Sequence, residues 1–231
     1  MRTVELFTKR DEVSSIIVAG PPDTIEDFRD KYGAALGFYG AQIVSGSISK
    51  RSETVKNALS VVPDDCTHIA VHDAARPAVD NSLLDRIFEA GLSLDAIVPA
   101  VSITATVKRV SDEQTDVANN EDDALVESIL GDAGRPSISA RQIKETIDRT
   151  NLVEVQTPQL FKADLLRRAY AQDDLSNATD DSMLVERLGE AVHVVEGDVN
   201  NIKITTKGEI RLVRALLGLK PPSQRPVHKR F

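Results

Sequence analysis

Short apolar runs alternate with helical periods along the first hundred residues, and no other property of this chain constrains its fold as strongly. Thr3 to Thr8 reads as the end of a helix. Ser14 to Val18 is a β-branched strand stopped by Gly20-Pro21-Pro22. Thr24 to Tyr32 places Ile25, Phe28 and Tyr32 on one helical face. Gln42 to Val44 is a short strand, and Ser52 to Val62 is a helix with Val55, Ala58, Leu59 and Val62 inward. Thr67 to Val71 is an apolar run with the length of a buried strand. Asn81 is the expected cap of a helix reaching Leu92, and Ala96 to Ala100 is the next strand. This order predicts an α/β fold, a mostly parallel sheet with helices on both faces. The chain has 231 residues, enough for one such domain over 1–218, with a flexible basic tail over 219–231. Lys220 to Phe231 contains three prolines.

The pattern breaks after Ala100. Thr104 to Val110 reads as a strand. Residues 111–134 then carry eight acidic side chains and no Lys or Arg, which predicts a solvated insertion rather than a packed element. Strand and helix signals resume over Glu145–Val155, Lys162–Ala171, Thr179–Leu188 and Lys207–Leu217, with short β-like pieces at Val192–Val195 and Ile202–Ile204. The net charge of −8 argues against broad nucleic-acid or anionic-membrane binding but leaves room for a phosphorylated ligand held by a few local cations. No apolar run approaches the ~20 residues of a membrane span. Charged residues interrupt the start, and the single cysteine, Cys66, suits a reducing compartment, so the expectation is a cytoplasmic protein.

Four places could carry chemistry. His72-Asp73-Ala74-Ala75-Arg76-Pro77 follows the strand ending at Val71, and ligands of open α/β sheets bind at such carboxyl ends. Asp73 and Arg76 could also form only a mutual surface ion pair there. Thr157-Pro158-Gln159 puts a hydroxyl at a strand exit, where it can meet a ligand or cap the region of Lys162. Thr179-Asp180-Asp181-Ser182 opens a helix; one residue is enough for the cap, and the acidic pair is also a possible magnesium site. Lys203 lies between Ile202 and Ile204 and points away from them, toward solvent or a polar cleft. The four histidines show no metal-ligand spacing.

In this order the segments resemble the family of 2-C-methyl-D-erythritol 4-phosphate cytidylyltransferases of the non-mevalonate isoprenoid pathway. The segments are Arg2 to Phe7, Arg51 to Val55, His72 to Pro77, Thr106 to Arg109, Asp148-Arg149 with Gln156 to Gln159, Thr179 to Asp181, and Asn201 to Thr205. The His72 and Thr157 segments are the most specific. The resemblance implies a Rossmann-like nucleotidyltransferase sheet with a projecting β-arm. It implies CTP and a polyol phosphate as substrates, Mg2+ bound with CTP, pyrophosphate as leaving group, and a homodimer formed through the arm. It also implies residue roles. Lys203 and Arg76 act as the catalytic cations. Asp73, Arg76, Thr106, Arg149, Thr157 and Lys203 bind the acceptor, and Thr54 and Ala74 face the nucleotide. Pentitol-phosphate cytidylyltransferases share much of the pattern, and a non-catalytic dimerising partner of the same fold is a further alternative.

Three departures accompany the resemblance. Nothing here matches the family's opening strand and Gly-rich loop, which implies poor turnover by residues 1–231 alone, unpaired sheet edges and a start upstream of Met1. Gly46-Ser47 stands where the family has Gly-Gly, and Ala105 stands where an aspartate is usual before Thr106.

Overall fold

The computed structural model describes residues 1–117 and 138–220. The acidic insertion therefore falls largely, and the basic tail almost wholly, outside the described residues. The chain divides into two compact units, one built from residues 1–101 with 154–231 and the other from Ser102–Val153.

The first unit holds most of the alternation read from the sequence. Helix α1 is Arg2–Thr8, β1 Ile16–Gly20, α2 Ile25–Phe38, β2 Ala41–Ser45, α3 Arg51–Leu59, β3 His68–Val71, α4 Asn81–Gly91 and β4 Ala96–Ser102, whose last residue already belongs to the second unit. The cap of α4 is Asp80, not Asn81: its carboxylate accepts the Leu83 amide. A capping aspartate one residue earlier lets Asn81 begin the helix.

Five strands form the main sheet: β11 (His193–Glu196), β4, β10 (Gln159–Lys162) and β3 lie in that order, and β9 (Val153–Val155) pairs with β4 off this path. β4 and β11 are parallel, and β10 runs antiparallel to both β3 and β4. β3, β4 and β11 therefore share one direction, as the alternation predicts. β10 is the departure. The sequence pattern places a strand that ends before Thr157 and a helix signal from Lys162 onward, with no strand between them. A four-residue strand buried almost from end to end has no alternation to reveal it. Ile202–Ile204 departs in the opposite sense: it forms no strand, and the Ile204 amide makes a single bond to the Ala75 carbonyl, 2.8 Å.

Period-two side chains on β4 and β10 sort the core onto two faces. Ala96 and Phe161 face Val55 of α3, Leu165, Leu166 and Tyr170 of α5 (Ala163–Tyr170), and Leu184 and Val185 of α6 (Asp181–Glu186). Their neighbours Ile97 and Leu160 face Leu83, Leu84 and Ile87 of α4. Helices thus cover both faces. Packing on the second face is close enough that a Cβ on Gly91 would lie 2.6 Å from the Leu160 side chain.

β1 and β2 pair in parallel as a separate two-stranded sheet. Among the described residues, β1 and β3 each keep one edge without a strand partner. Helix α7, Lys207–Leu216, closes the unit behind a capping box made by Thr206 and Glu209.

The second unit contains the residues read as the β-arm. β5 (Val107–Val110) pairs antiparallel with β8 (Ile143–Ile147), and β6 (Thr115–Val117) pairs antiparallel with β7 (Ile138–Ala140). Ile143, Leu152 and Val153 are large apolar side chains left exposed on it. Among the described residues, no helix is long and apolar enough to cross a membrane.

Candidate active site

The turn leaving β3 is built by backbone first. The Arg76 amide closes on the Asp73 carbonyl at 2.9 Å. Below it, a short chain of hydrogen bonds fixes the turn. His72 Nε2 lies 3.1 Å from the Arg76 carbonyl, which can only accept, so Nε2 carries the ring proton. Nδ1 is then an acceptor and takes the Thr157 hydroxyl proton across 3.2 Å. The Thr157 oxygen in turn accepts the Asp73 amide at 3.0 Å. Burial pushes the His72 imidazole down to about 4, so it stays neutral and this arrangement holds near neutrality. Thr157 is 5% exposed, and its only proton is committed; toward a ligand its hydroxyl can only accept.

Arg76 sits elsewhere than a surface pair with Asp73 would put it. The residue is 6% exposed; its guanidinium donates to the Asn201 carbonyl at 2.7 Å and the Val155 carbonyl at 3.4 Å, while Nε has no partner. Burial draws its pKa below the ordinary arginine value. Arg76 thus ties the β3 turn to the segment after β11. Asn201, wholly buried, adds a bond from Nδ2 to the Thr157 carbonyl, 2.9 Å. The Ile204 amide bond to the Ala75 carbonyl holds the Lys203 backbone beside the turn. Lys203 Nζ meets Asp73 Oδ2 at 2.8 Å.

Asp73 receives a second cation from α3. Arg51 Nε lies 3.3 Å from Asp73 Oδ1, and Arg51 Nη2 lies 2.7 Å from Oδ2 of Asp181. Asp181 is fully buried and also accepts the Tyr170 hydroxyl. Burial works against the Asp73 carboxylate, yet Lys203 and Arg51 hold it below the usual carboxylate range. Burial likewise opposes the Arg51 charge, but Asp181 and Asp73 raise its pKa above the ordinary value. For Tyr170, burial and the Asp181 charge both push the phenol up.

The acidic pair at α6 does not fit a resident cation. Asp180 caps the helix, accepting the Met183 amide with Oδ1 and the Gln159 side-chain amide and Ser182 hydroxyl with Oδ2. Asp181 is spent on Arg51 and Tyr170. Among the described residues, no group of three or more His, Cys, Asp or Glu side chains is placed to hold a metal ion.

Thr54 is half-buried, and its hydroxyl accepts the Ser47 amide at 2.9 Å, shaping the loop between β2 and α3. Gly46 leads that loop against β1: its amide meets the Gly20 carbonyl at 2.8 Å, and a Cβ there would lie 3.0 Å from the same oxygen. Ala74 is exposed at the tip of the β3 turn. Thr106 and Arg149 lie in the second unit. Thr106 is exposed just before β5, and Arg149 donates to the carbonyls of Ile103, Thr104 and Ala105.

The structure therefore gathers Asp73, Arg76, Thr157 and Lys203 around one turn. Sequence reasoning assigns no role to Arg51 or Tyr170, and reads Asp181 only as part of a helix start or of a possible magnesium pair. One signal is available: a helix start needs one capping acid, and Asp181 is a second.

Comparisons with known proteins identify a family. The family model described as 2-C-methyl-D-erythritol 4-phosphate cytidylyltransferase matches residues 1–130 and 129–218. A protein of that name from Bacteroides fragilis is 31% identical over 217 residues, covering 94% of this chain and 85% of its own length. One from Endomicrobium trichonymphae is 34% identical over 215 residues, covering 93% and 83%. The crystal structure of the Thermus thermophilus protein of that name superposes with a TM-score of 0.67 at 26% identity, covering 94% of this chain and 88% of that one.

Proposed function

Because the chain belongs to the 2-C-methyl-D-erythritol 4-phosphate cytidylyltransferase family, we propose that it transfers a cytidylyl group from CTP to 2-C-methyl-D-erythritol 4-phosphate. An oxygen of the acceptor phosphate attacks the α-phosphorus of CTP, the bond to the β-phosphate oxygen breaks, and pyrophosphate leaves with that electron pair. No covalent enzyme intermediate is required. The protein's task is to hold two polyanions in line and offset charge on the reacting phosphate.

The pairing of Lys203 with Asp73 at the β3 exit carries this reading. Two of the three Lys203 N–H donors remain for a phosphate oxygen, and 43% of the side chain is exposed to meet one. Asp73 spends one lone pair on each cation and keeps others for polyol hydroxyls. We assign Arg76 the task of holding Asn201, and through it Lys203, in register with that turn. Thr157 orients Asp73 from below and offers a lone pair to the polyol. Ala74 faces the nucleotide through its backbone, and Thr54 shapes the loop on which the base rests. The phosphate-binding roles of Thr106 and Arg149, which lie on the second unit, rest on the family resemblance alone. Mg2+ bound with CTP would partly neutralise the triphosphate; among the described residues no group of three or more His, Cys, Asp or Glu is placed to hold it.

Exposed Ile143, Leu152 and Val153 support pairing of two copies through the second unit. A cytoplasmic setting suits the single cysteine. The test is direct. Protein purified from its native cell, given CTP and the methylerythritol phosphate, releases pyrophosphate only when both are present. Release with a pentitol phosphate and not with the methylerythritol phosphate would change the acceptor. No release with either would move the fold to a non-catalytic role.

A further inference from the structure

Arg51 divides its bonds unequally between two aspartates, and the division has a consequence for the acceptor site. Its short bond, 2.7 Å, goes to buried Asp181; its long one, 3.3 Å, goes to Asp73. The two bonds leave from different nitrogens, so the planar fork is turned toward Asp181 and only its Nε edge reaches Asp73. A free guanidinium beside a carboxylate closes on it with two parallel bonds. Here that closure is prevented, because Asp181 is itself fixed by the Tyr170 hydroxyl and by the start of α6.

We propose that Asp181 is a positioning residue for the acceptor: by taking the strong end of Arg51, it stops that guanidinium from closing on Asp73 and keeps the Asp73 oxygens open to the polyol hydroxyls. This rests on the reading of Asp73 as the acceptor's carboxylate. It explains a buried ion pair joining residues 130 positions apart. Such a pair adds little net stability over apolar packing, so a purely structural role accounts for it poorly.

Two substitutions separate the possibilities. In Asp181→Asn, Arg51 loses its anionic partner and closes on Asp73. The KM for the methylerythritol phosphate rises about tenfold, the worth of one hydrogen bond to a charged group, while the KM for CTP holds. In Arg51→Lys, a single ammonium cannot span both carboxylates and remains with the buried one.

The Asp73 carboxyl, followed by carbon NMR, reads the same event without turnover. Arg51 faces it from α3, Lys203 from the segment after β11, and His72 and Arg76 from its own turn. Only the first is altered. Asp73 titrates lower than wild type in Asp181→Asn and higher in Arg51→Lys.

Opposite shifts with a selective acceptor KM effect support the proposal. An unchanged Asp73 titration in both variants, or a parallel rise in both KM values, overturns it. If Asp181→Asn does not fold, Arg51→Lys decides alone: an Asp73 that titrates as in wild type sinks the idea. Absence of pyrophosphate release by the wild type would sink the functional reading instead, and the titration would still judge the positioning claim.

Discussion

The turn after β3 and the start of α6 both present an aspartate to Arg51, and their surroundings could hardly differ more. Asp181 has no solvent exposure, a phenol and a guanidinium as partners, and a helix beginning at its own backbone. Asp73 keeps 15% of its side chain exposed, sits in a turn, and shares its second oxygen with a half-exposed lysine. One carboxylate is buried to hold something; the other is held so that it can be used. A shared partner thus says nothing about a shared role, and burial separates the two.

The comparison breaks most visibly when each acid is removed. Asp181→Ala breaks the pair between Arg51 and a fully buried carboxylate, leaves the Tyr170 hydroxyl without its acceptor, and costs about 3–5 kcal/mol of stability, readable as a lowered denaturation midpoint. Asp73→Ala, in a partly solvated pair, costs about 1 kcal/mol or less while abolishing selective binding of the acceptor. Equal losses of stability at the two positions would erase the distinction.

Acid sharpens the same contrast. The His72 imidazole is held at about 4, below its ordinary value near 6.5, so the stability of its neutral form is fully present above pH 6.5. It is lost as pH falls from there toward 4, by on the order of 3 kcal/mol. Chemical denaturation at a series of pH values should show that slope in wild type and lose it in His72→Gln. A slope that survives the substitution would remove His72 from the frame of the turn.

A smaller effect comes from Thr157→Val, which leaves the Asp73 amide and His72 Nδ1 unpartnered and costs about 1–3 kcal/mol. Asp73 should then bind the acceptor less well, with α6 and Arg51 undisturbed. Smallest is Lys203→Met. It removes a half-exposed ion pair worth ~1 kcal/mol or less in stability, so its large loss of acceptor-dependent turnover would isolate function from folding.

Much of the turn is legible in the sequence. An apolar run followed by His72-Asp73 places a carboxylate at a strand's carboxyl end, and a lysine between Ile202 and Ile204 signals a cation with a polar partner, although the segment forms no strand. The parallel core follows from strand and helix periods. What escapes reading depends on distance or on brevity. β10 is four residues long and buried over its first three, so periodicity has nothing to act on. Ile202–Ile204 has strand composition, but the preceding Asn201 is tied to Arg76 and Thr157, and the Ile204 amide bonds to the Ala75 carbonyl of the turn instead. Asp181 reads as half of a capping pair because its partners, Tyr170 and Arg51, lie 11 and 130 residues away. Arg76 reads as a surface cation because nothing local announces the carbonyls of Val155 and Asn201.

The central claim is that the β3 turn receives the acceptor of a cytidylyl transfer. Pyrophosphate release from CTP, measured against rising methylerythritol phosphate for the wild type and for Asp73→Asn, tests it most directly. The expected result is acceptor-dependent release by the wild type, and a raised KM for the acceptor with an unchanged KM for CTP in the variant. Release that ignores the acceptor, or an Asp73→Asn protein with wild-type kinetics, would contradict it.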